Sequence, residues 1–178
     1  MINAAEIDGI LKTFTILVDT REHPNSSYLQ RLSSMGVPFE RKKLDFGDYS
    51  AKCRLSDGKE YSLEKAVCVE RKMSFDELCS CYCQQRKRFV NEFQRAKDNN
   101  AKIYLLVENG SWEAAYKGDY NSLMKPQALV ASLTAWLARY NCQIIFCKPN
   151  ISGRLIKELL YREMKERLEN GKGLQPQL

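Results

Sequence analysis

Strand-like alternation of apolar and polar residues dominates positions 13–72, and helical spacing dominates most of the chain beyond them. Residues 13–22, TFTILVDTRE, form a β-rich run ending in charges, the pattern of a buried strand. SSYLQRLSSM (26–35) reads as a short helix stopped at Gly36, with Pro38 just beyond. VPFERKKLDF (37–46) and DYSAKCRL (48–55) alternate as strands, and Asp57-Gly58 is a hairpin turn signal. EYSLEKAVCVERK (60–72) returns as the partner strand.

From Ser74 the period changes. Ser74 and Glu77 make a capping box, and Phe75, Leu78, Tyr82, Phe89 and Phe93 recur on one face of a helix predicted over 74–98. AKIYLLVE (101–108) and CQIIFCK (142–148) are short apolar strands. Between them, residues 124–140 carry Leu129, Leu133, Trp136, Leu137 and Tyr140 on one helical face, so Trp136 is expected in the core. Ser152 can cap a last helix whose Ile151, Leu155, Leu159 and Met164 face inward. Antiparallel strands followed by crossover helices predict an α/β fold, a mixed β-sheet flanked by helices.

The length, 178 residues, fits a single domain. No apolar run approaches the roughly 18 residues of a bilayer span. The start, MINAAEIDGILKTF, carries Glu6 and Asp8 and lacks both a basic leader and a long apolar stretch, so it does not read as a signal peptide. A cytoplasmic location is the expectation. Both the start and the GKGLQPQL end are expected to be loose. Seven cysteines, with no CxxC pair, read as reduced thiols. Cys79, Cys81 and Cys83 are spaced i, i+2, i+4, which on a helix cannot converge on one zinc, so neither a structural disulfide nor zinc is expected.

The net charge is +6, with an excess of basic residues only after residue 40. That balance favours polyanion partners without requiring them. Candidate chemistry is more specific. Glu70 and Lys72, two apart on a strand, project on one face. The hairpin at Asp57-Gly58 can bring Asp48 beside Glu70. Two carboxylates would suit Mg²⁺, which takes the rest of its shell from water and phosphate oxygens. Lys72 could stabilise charge developing at a phosphate. An Asp, a gap of about twenty residues and Glu-x-Lys is the minimal PD-(D/E)xK nuclease pattern, although a solvated charge cluster fits the same spacing.

The order of motifs is more telling. Val18-Asp19-Thr20-Arg21-Glu22, Gly47-Asp48-Tyr49 and Glu70-Arg71-Lys72-Met73-Ser74-Phe75-Asp76 occur in series. They resemble the V-D-x-R-E, G-D-[YF] and E-R-K-x-x-x-D motifs of the XPF-type (ERCC4-domain) structure-specific nucleases. RKRFVNEFQRAK (86–97), IYLLVE (103–108) and LTAWLARYNCQIIFC (133–147) resemble later parts of that domain in its bacterial and phage versions. The resemblance covers about residues 14–165.

It implies a restriction-endonuclease-like fold and metal-dependent cleavage of DNA, in branched or flap-like form, with Mg²⁺ or Mn²⁺ as cofactor and a role in DNA repair or recombination. Asp48 and Glu70 would be metal ligands, Asp19 a further acidic member reaching the metal directly or through water, and Lys72 the catalytic cation. Arg71, Arg21, Glu22 and Asp76 carry over as motif members. Arg71 points away from Glu70 by strand alternation and could pair with Asp19, Glu22 or Asp76. Nothing between residue 150 and residue 178 reads as the tandem helix-hairpin-helix module that larger members use to grip DNA. The alternative is a non-catalytic DNA-binding or dimer-partner module of the same fold.

Other residues keep two readings. Arg86, Lys87, Arg88 and Arg95 could track the DNA backbone or form a solvated helix face. His23 could touch phosphate. Glu108 is an outer site member or an exposed strand end. Trp112 and Tyr116 could stack on a base but suit a lid or the core. A homodimer is expected, because the resemblance implies pairing through helices, common among XPF-type nuclease domains, and because the apolar positions on the two C-terminal helices exceed what one sheet face needs.

Overall fold

A computed structural model describes residues 3–171. The largely buried run TILV forms β1 (Thr15–Val18), one strand in from the edge of a seven-stranded sheet. The other strands are β2 (Phe39–Arg41), β3 (Tyr49–Arg54), β4 (Glu60–Ser62), β5 (Val67–Lys72), β6 (Lys102–Glu108) and β7 (Cys142–Cys147). Their order is β2-β1-β3-β5-β6-β7, with β4 beside β3. The β3 pairings to β1, β4 and β5 are antiparallel, whereas β5–β6, β6–β7 and β1–β2 are parallel. The parallel pairs follow from helical crossovers, since parallel neighbours cannot be joined by a tight turn.

Strand alternation divides the core in two. Val67, Val69, Tyr104 and Leu106 face one apolar cluster, and Cys68, Ile103, Leu105 and Val107 face the other. The first is covered by α1 (Ala4–Leu11), α2 (Ser26–Met35) and α7 (Pro149–Glu169). The second is covered by α3 (Phe75–Cys83), α4 (Arg86–Asp98), α5 (Trp112–Lys117) and α6 (Pro126–Arg139). Trp136 is buried in the second, stacked on Phe89 at 5.5 Å and edge-on to Tyr82 at 4.8 Å. The last two long helices therefore serve opposite faces. Most of the apolar positions that suggested a homodimer are buried on two faces of one sheet, while Leu137 and Ile151 stay exposed. Among the described residues no helix is long and apolar enough to cross a membrane.

The mixed sheet between helices agrees with the sequence pattern, and several boundaries do not. Residues 4–11 are helical rather than loose. The Asn3 side chain accepts the Glu6 N–H as N-cap, and Ile7, Ile10 and Leu11 bury against the sheet. Apart from Gly171, the GKGLQPQL segment lies outside the described residues. The strand expected over 37–46 pairs only at Phe39–Arg41, along an exposed edge. The run 60–72 breaks into β4 and β5, because a turn in which Ala66 and Val67 both donate to the Leu63 carbonyl intervenes.

The helix expected over 74–98 is two helices. Gln84 and Gln85 N–H both donate to the Ser80 carbonyl, Gln85 leaves helical geometry at φ −107°, ψ 19°, and α4 starts afresh at Arg86. That turn lets Tyr82 of α3 and Phe89 of α4 both reach Trp136. Helix α7 starts at Pro149, not at Ser152, which is buried within its first turn and donates to the Pro149 carbonyl. Its inward stripe is Ile156, Leu160, Met164 and Leu168, and Ile151 faces solvent.

Helices α2 and α7 touch where Gly153 leaves no side chain in the way. A Cβ there would sit 2.1 Å from Ser34 Oγ and 2.3 Å from the Arg31 carbonyl oxygen. Gly153→Ala should gain about 1 kcal/mol of helix propensity. Displacing a backbone carbonyl in a packed interface costs about 1–3 kcal/mol. The clash is expected to win, so thermal unfolding should show a lower Tm; an unchanged or raised Tm would mean that the helices part freely here.

Candidate active site

The site forms where β3 and β5 diverge. Their ladder holds a single residue pair, Tyr49 and Val69. Just before it, Gly47 lies at φ +72°, a conformation natural to glycine. A Cβ at Gly47 would also meet the Cys68 side chain at 2.7 Å. The glycine therefore serves both the turn and the close approach of β5. Its N–H donates to Glu92 Oε1 at 2.9 Å.

Asp48 is then fixed on every side. Its N–H donates to the Val69 carbonyl (2.9 Å), its carbonyl accepts the Asp19 N–H (2.8 Å), and its Oδ2 accepts the Arg71 N–H (2.8 Å). Glu70 and Lys72, on the same face of β5, are both buried, and Lys72 Nζ donates to Glu70 Oε1 at 2.5 Å. Lys72 Nζ also lies 4.0 Å from Glu77 Oε1 and 5.3 Å from the Phe89 ring centroid. Glu70 Oε2 is buried without a hydrogen-bond partner.

These three side chains open into a cleft of about 270 Å³. Arg21, Glu22, His23 and Arg71 line one wall, and Glu77, Gln85, Arg88, Phe89 and Glu92 another. Arg88 reaches the cleft, whereas Arg86 is exposed outside it and donates weakly to the Tyr82 carbonyl at 3.5 Å. Tyr116 is exposed on α5, and Trp112 packs edge-on against Phe146 at 5.7 Å, on the core.

Several motif residues make their main contacts away from the cleft centre. Arg71 pairs with none of the three acids expected for it. It makes a two-pronged bond to Glu108, Nε to Oε1 at 2.8 Å and Nη2 to Oε2 at 2.7 Å. Alternation sends Arg71 to the α7 side, and the parallel register aligns it with Leu106, so Glu108 is its next same-face neighbour on β6. Glu108 is thus a buried strut rather than an exposed strand end. Burial would raise its carboxyl, but bonds from Arg71 and the Ser152 hydroxyl take it below the ordinary carboxylate value.

Asp19 is also committed elsewhere. Its two oxygens accept the Arg21 N–H, Arg21 Nε and Nη2, and the Leu44 N–H, at 2.6–3.2 Å, and it does not line the cleft. Burial opposes its ionisation, yet these donors hold its pKa below the ordinary value. It braces Arg21, and both of its oxygens are already engaged by these donors. Glu22 accepts the Tyr49 hydroxyl (3.0 Å) and Arg31 Nη2 (3.3 Å), tying the first motif to the second. Asp76 holds the loop before α6, accepting the Asn121 and Ser122 N–H groups at 2.8 and 2.9 Å.

Residues 18–159 match the family model described as the ERCC4 domain. The chain belongs to the ERCC4-domain family. Matching solved structures include XPF from Aeropyrum pernix, 22% identical with a TM-score of 0.59, and the same protein in complex with DNA, 24% identical with a TM-score of 0.55. Each match covers 92% of this chain, but only 65% and 68% of the archaeal chains. These likenesses give the fold, the restriction-endonuclease-like mixed sheet of XPF. No curated protein gives a significant sequence match.

Within this ERCC4 domain the donor set fits a hard divalent cation. Two carboxylates, one from the residue just before β3 and one from β5, face one cleft, and one buried oxygen, Glu70 Oε2, lacks a partner. No group of three or more His, Cys, Asp or Glu among the described residues could hold a metal ion, so Asp48 and Glu70 would leave most positions to water and substrate oxygens. Burial, and then the neighbouring Glu70 charge, push Asp48 well above the ordinary carboxylate value. Burial raises Glu70 to about 7 against the pull of Lys72. Burial would depress the Lys72 ammonium, but the Glu70 and Asp48 charges outweigh it and hold Lys72 protonated.

Glu92 was not singled out by the sequence. It sits on the buried face of α4 between Phe89 and Phe93, and a carboxylate at such a position was the available signal.

The like-charge pair has a consequence for stability. A carboxyl whose folded pKa is raised contributes stability that is lost as pH rises through that folded value. Asp48→Asn can still accept the Arg71 N–H but carries no charge. In metal-free buffer the variant should melt above wild type at pH 8, with the gap shrinking toward pH 4. A variant that melts lower at pH 8 would show that ionised Asp48 stabilises the fold.

Proposed function

We propose that this chain is a divalent-metal-dependent endonuclease that hydrolyses DNA phosphodiester bonds, with branched or flap-like DNA as its substrate. The observation that carries this reading is the convergence of Asp48, Glu70 and Lys72 on one cleft, with Glu70 Oε2 unpartnered. Asp48 and Glu70 would hold Mg²⁺ or Mn²⁺. When bound, such an ion supplies Lewis-acid polarisation of a phosphate oxygen and a more acidic water.

The protein's own residues do the rest. Lys72, buried and protonated, presents a fixed positive charge where negative charge gathers on the phosphate, and its low-dielectric setting strengthens that effect. The backbone bonds of Asp48 and the Arg71–Glu108 strut fix the strand ends, so little reorganisation is needed. Arg88 and Arg21, at the cleft walls, can meet flanking phosphates, which position a duplex without reading its sequence. Family membership and the archaeal XPF solved with DNA support the substrate class.

Labelled flap, fork, junction and linear DNAs, incubated with Mg²⁺ and with chelator, test the reading. Cutting should require the metal and should favour the branched forms. Glu70→Gln and Lys72→Ala should each slow cutting by about 100-fold or more. Both should still bind DNA in Ca²⁺, with affinity that falls as salt rises. Wild-type cleavage rates in either variant would remove the assigned site, and binding without cutting by the wild type would make the domain a non-catalytic DNA module.

A further inference from the structure

The loop from Gly118 to Lys125, between α5 and α6, carries Leu123 with its side chain 100% exposed. A leucine on a floppy tip would mean little, but this loop is pinned. The Asp76 carboxylate accepts Asn121 Nδ2 at 3.2 Å as well as the two backbone N–H groups of Asn121 and Ser122. The Tyr120 hydroxyl donates to the Met124 carbonyl at 2.8 Å, and the Ser122 hydroxyl accepts the Met124 N–H at 3.2 Å. Gly118, at φ +75°, packs against Pro126 so closely that a Cβ would lie 2.9 Å away. The fold spends a motif carboxylate on holding an apolar side chain out in solvent.

The surface beneath Leu123 is continuous with the catalytic cleft. Asp76, Ser80, Cys83 and Gln84 line a groove under the loop. Gln84 also belongs to a polar shelf with Gln85, Lys87, Arg88 and Asn91. Gln85 and Arg88 in turn line the cleft that holds Glu70 and Lys72. Helix α3, about 10 Å across, separates the two ends of this path. Lys87 and Arg88 are exposed along it, Lys125 is exposed at the end of the loop, and none of the three forms an ion pair among the described residues.

Cations spaced along such a path suit a phosphate backbone, and DNA is the occupant that this charge favours. Continuous duplex offers phosphates on the outside and keeps its bases stacked within. An apolar side chain finds a matching surface on DNA only where the stack ends or is opened, as the apolar wedges of DNA-bending proteins do. We propose that Leu123 is such a wedge, lying against the last base pair where a duplex in the substrate opens into single strands. It would make this loop the part of the molecule that distinguishes branched from continuous DNA. The inference rests on the endonuclease reading of the cleft and assigns that site its discriminating residue.

The test combines cleavage with a signal independent of it. Leu123→Ala, at a fully exposed position, should fold with an unchanged Tm. Its ratio of flap to linear-duplex cleavage in Mg²⁺ should fall about tenfold, and Leu123→Met should restore the ratio. In Ca²⁺, 2-aminopurine placed at the branch point should brighten when wild type binds and stay dim with Leu123→Ala. Intact binding and cutting with an unchanged ratio and unchanged fluorescence would overturn the wedge alone. A change in oligomeric state by light scattering, without either DNA effect, would assign Leu123 to a protein contact and also overturn it. Failure of wild type to bind any DNA would overturn the endonuclease reading and the wedge with it.

Discussion

Strands β3 and β5 share one residue pair and then separate, and a side chain continues the ladder where backbone pairing stops. Asp48 donates its N–H to Val69, and its carboxylate accepts the Arg71 N–H that a third strand residue would otherwise have taken. The same residue is stitched to β1 through its carbonyl. Beyond this point β5 is paired only with β6, so the face bearing Glu70 and Lys72 opens beside Asp48. Gly47 makes the junction possible, because any Cβ there would strike Cys68. The cleft exists because a carboxylate substitutes for a strand.

That geometry places charge where the fold would not choose it. Asp48 and Glu70 are raised by burial and, for Asp48, by Glu70 itself, and Glu92 adds to the crowding at Glu70. The buried Lys72 offsets part of this through its bond to Glu70, and an apolar ring, Phe89, faces its ammonium. Ionisable groups held against their preference are a recurring mark of functional sites, although structural ion pairs can produce them too. What separates the two here is the division of labour. Asp19–Arg21 and Arg71–Glu108 are satisfied pairs with depressed carboxyl values, whereas Asp48 and Glu70 are raised and open to the cleft.

Period and turn chemistry carried the sheet, its helices and the Asp48, Glu70 and Lys72 group, because each depends on neighbours within a few residues or on one hairpin. The misses depend on distance or direction. Arg71–Glu108 spans 37 residues and a parallel register, which alternation alone cannot supply. The contacts of Asp19 include the Leu44 N–H, 25 residues away, which no local spacing reveals. The break at Gln84 and Gln85 has no glycine or proline to announce it and is set by aromatic packing on Trp136. Helix α1 is different: Asn3, Glu6, Ile7, Ile10 and Leu11 carried a cap and a stripe, and the signal was legible.

The seven residues from Glu70 to Asp76 reach three places. Glu70 and Lys72 face the cleft, Arg71 turns through the sheet to Glu108 beside α7, and Asp76 leaves along α3 to grip the loop at Asn121 and Ser122. The strand supplies two opposite faces, and Ser74, accepting the Glu77 N–H, starts the helix that turns Asp76 out of the sheet. A strand followed at once by a capped helix is what allows so short a stretch to do this. The spacing therefore couples three parts of the molecule rather than marking one cluster. A shift of one residue between Lys72 and Ser74 would leave the strand face intact yet rotate Asp76 by about 100° around α3 and release the loop. In that sense the last acid of the motif reports on the loop and the first on the cleft, and the length between them keeps both attached to one strand end.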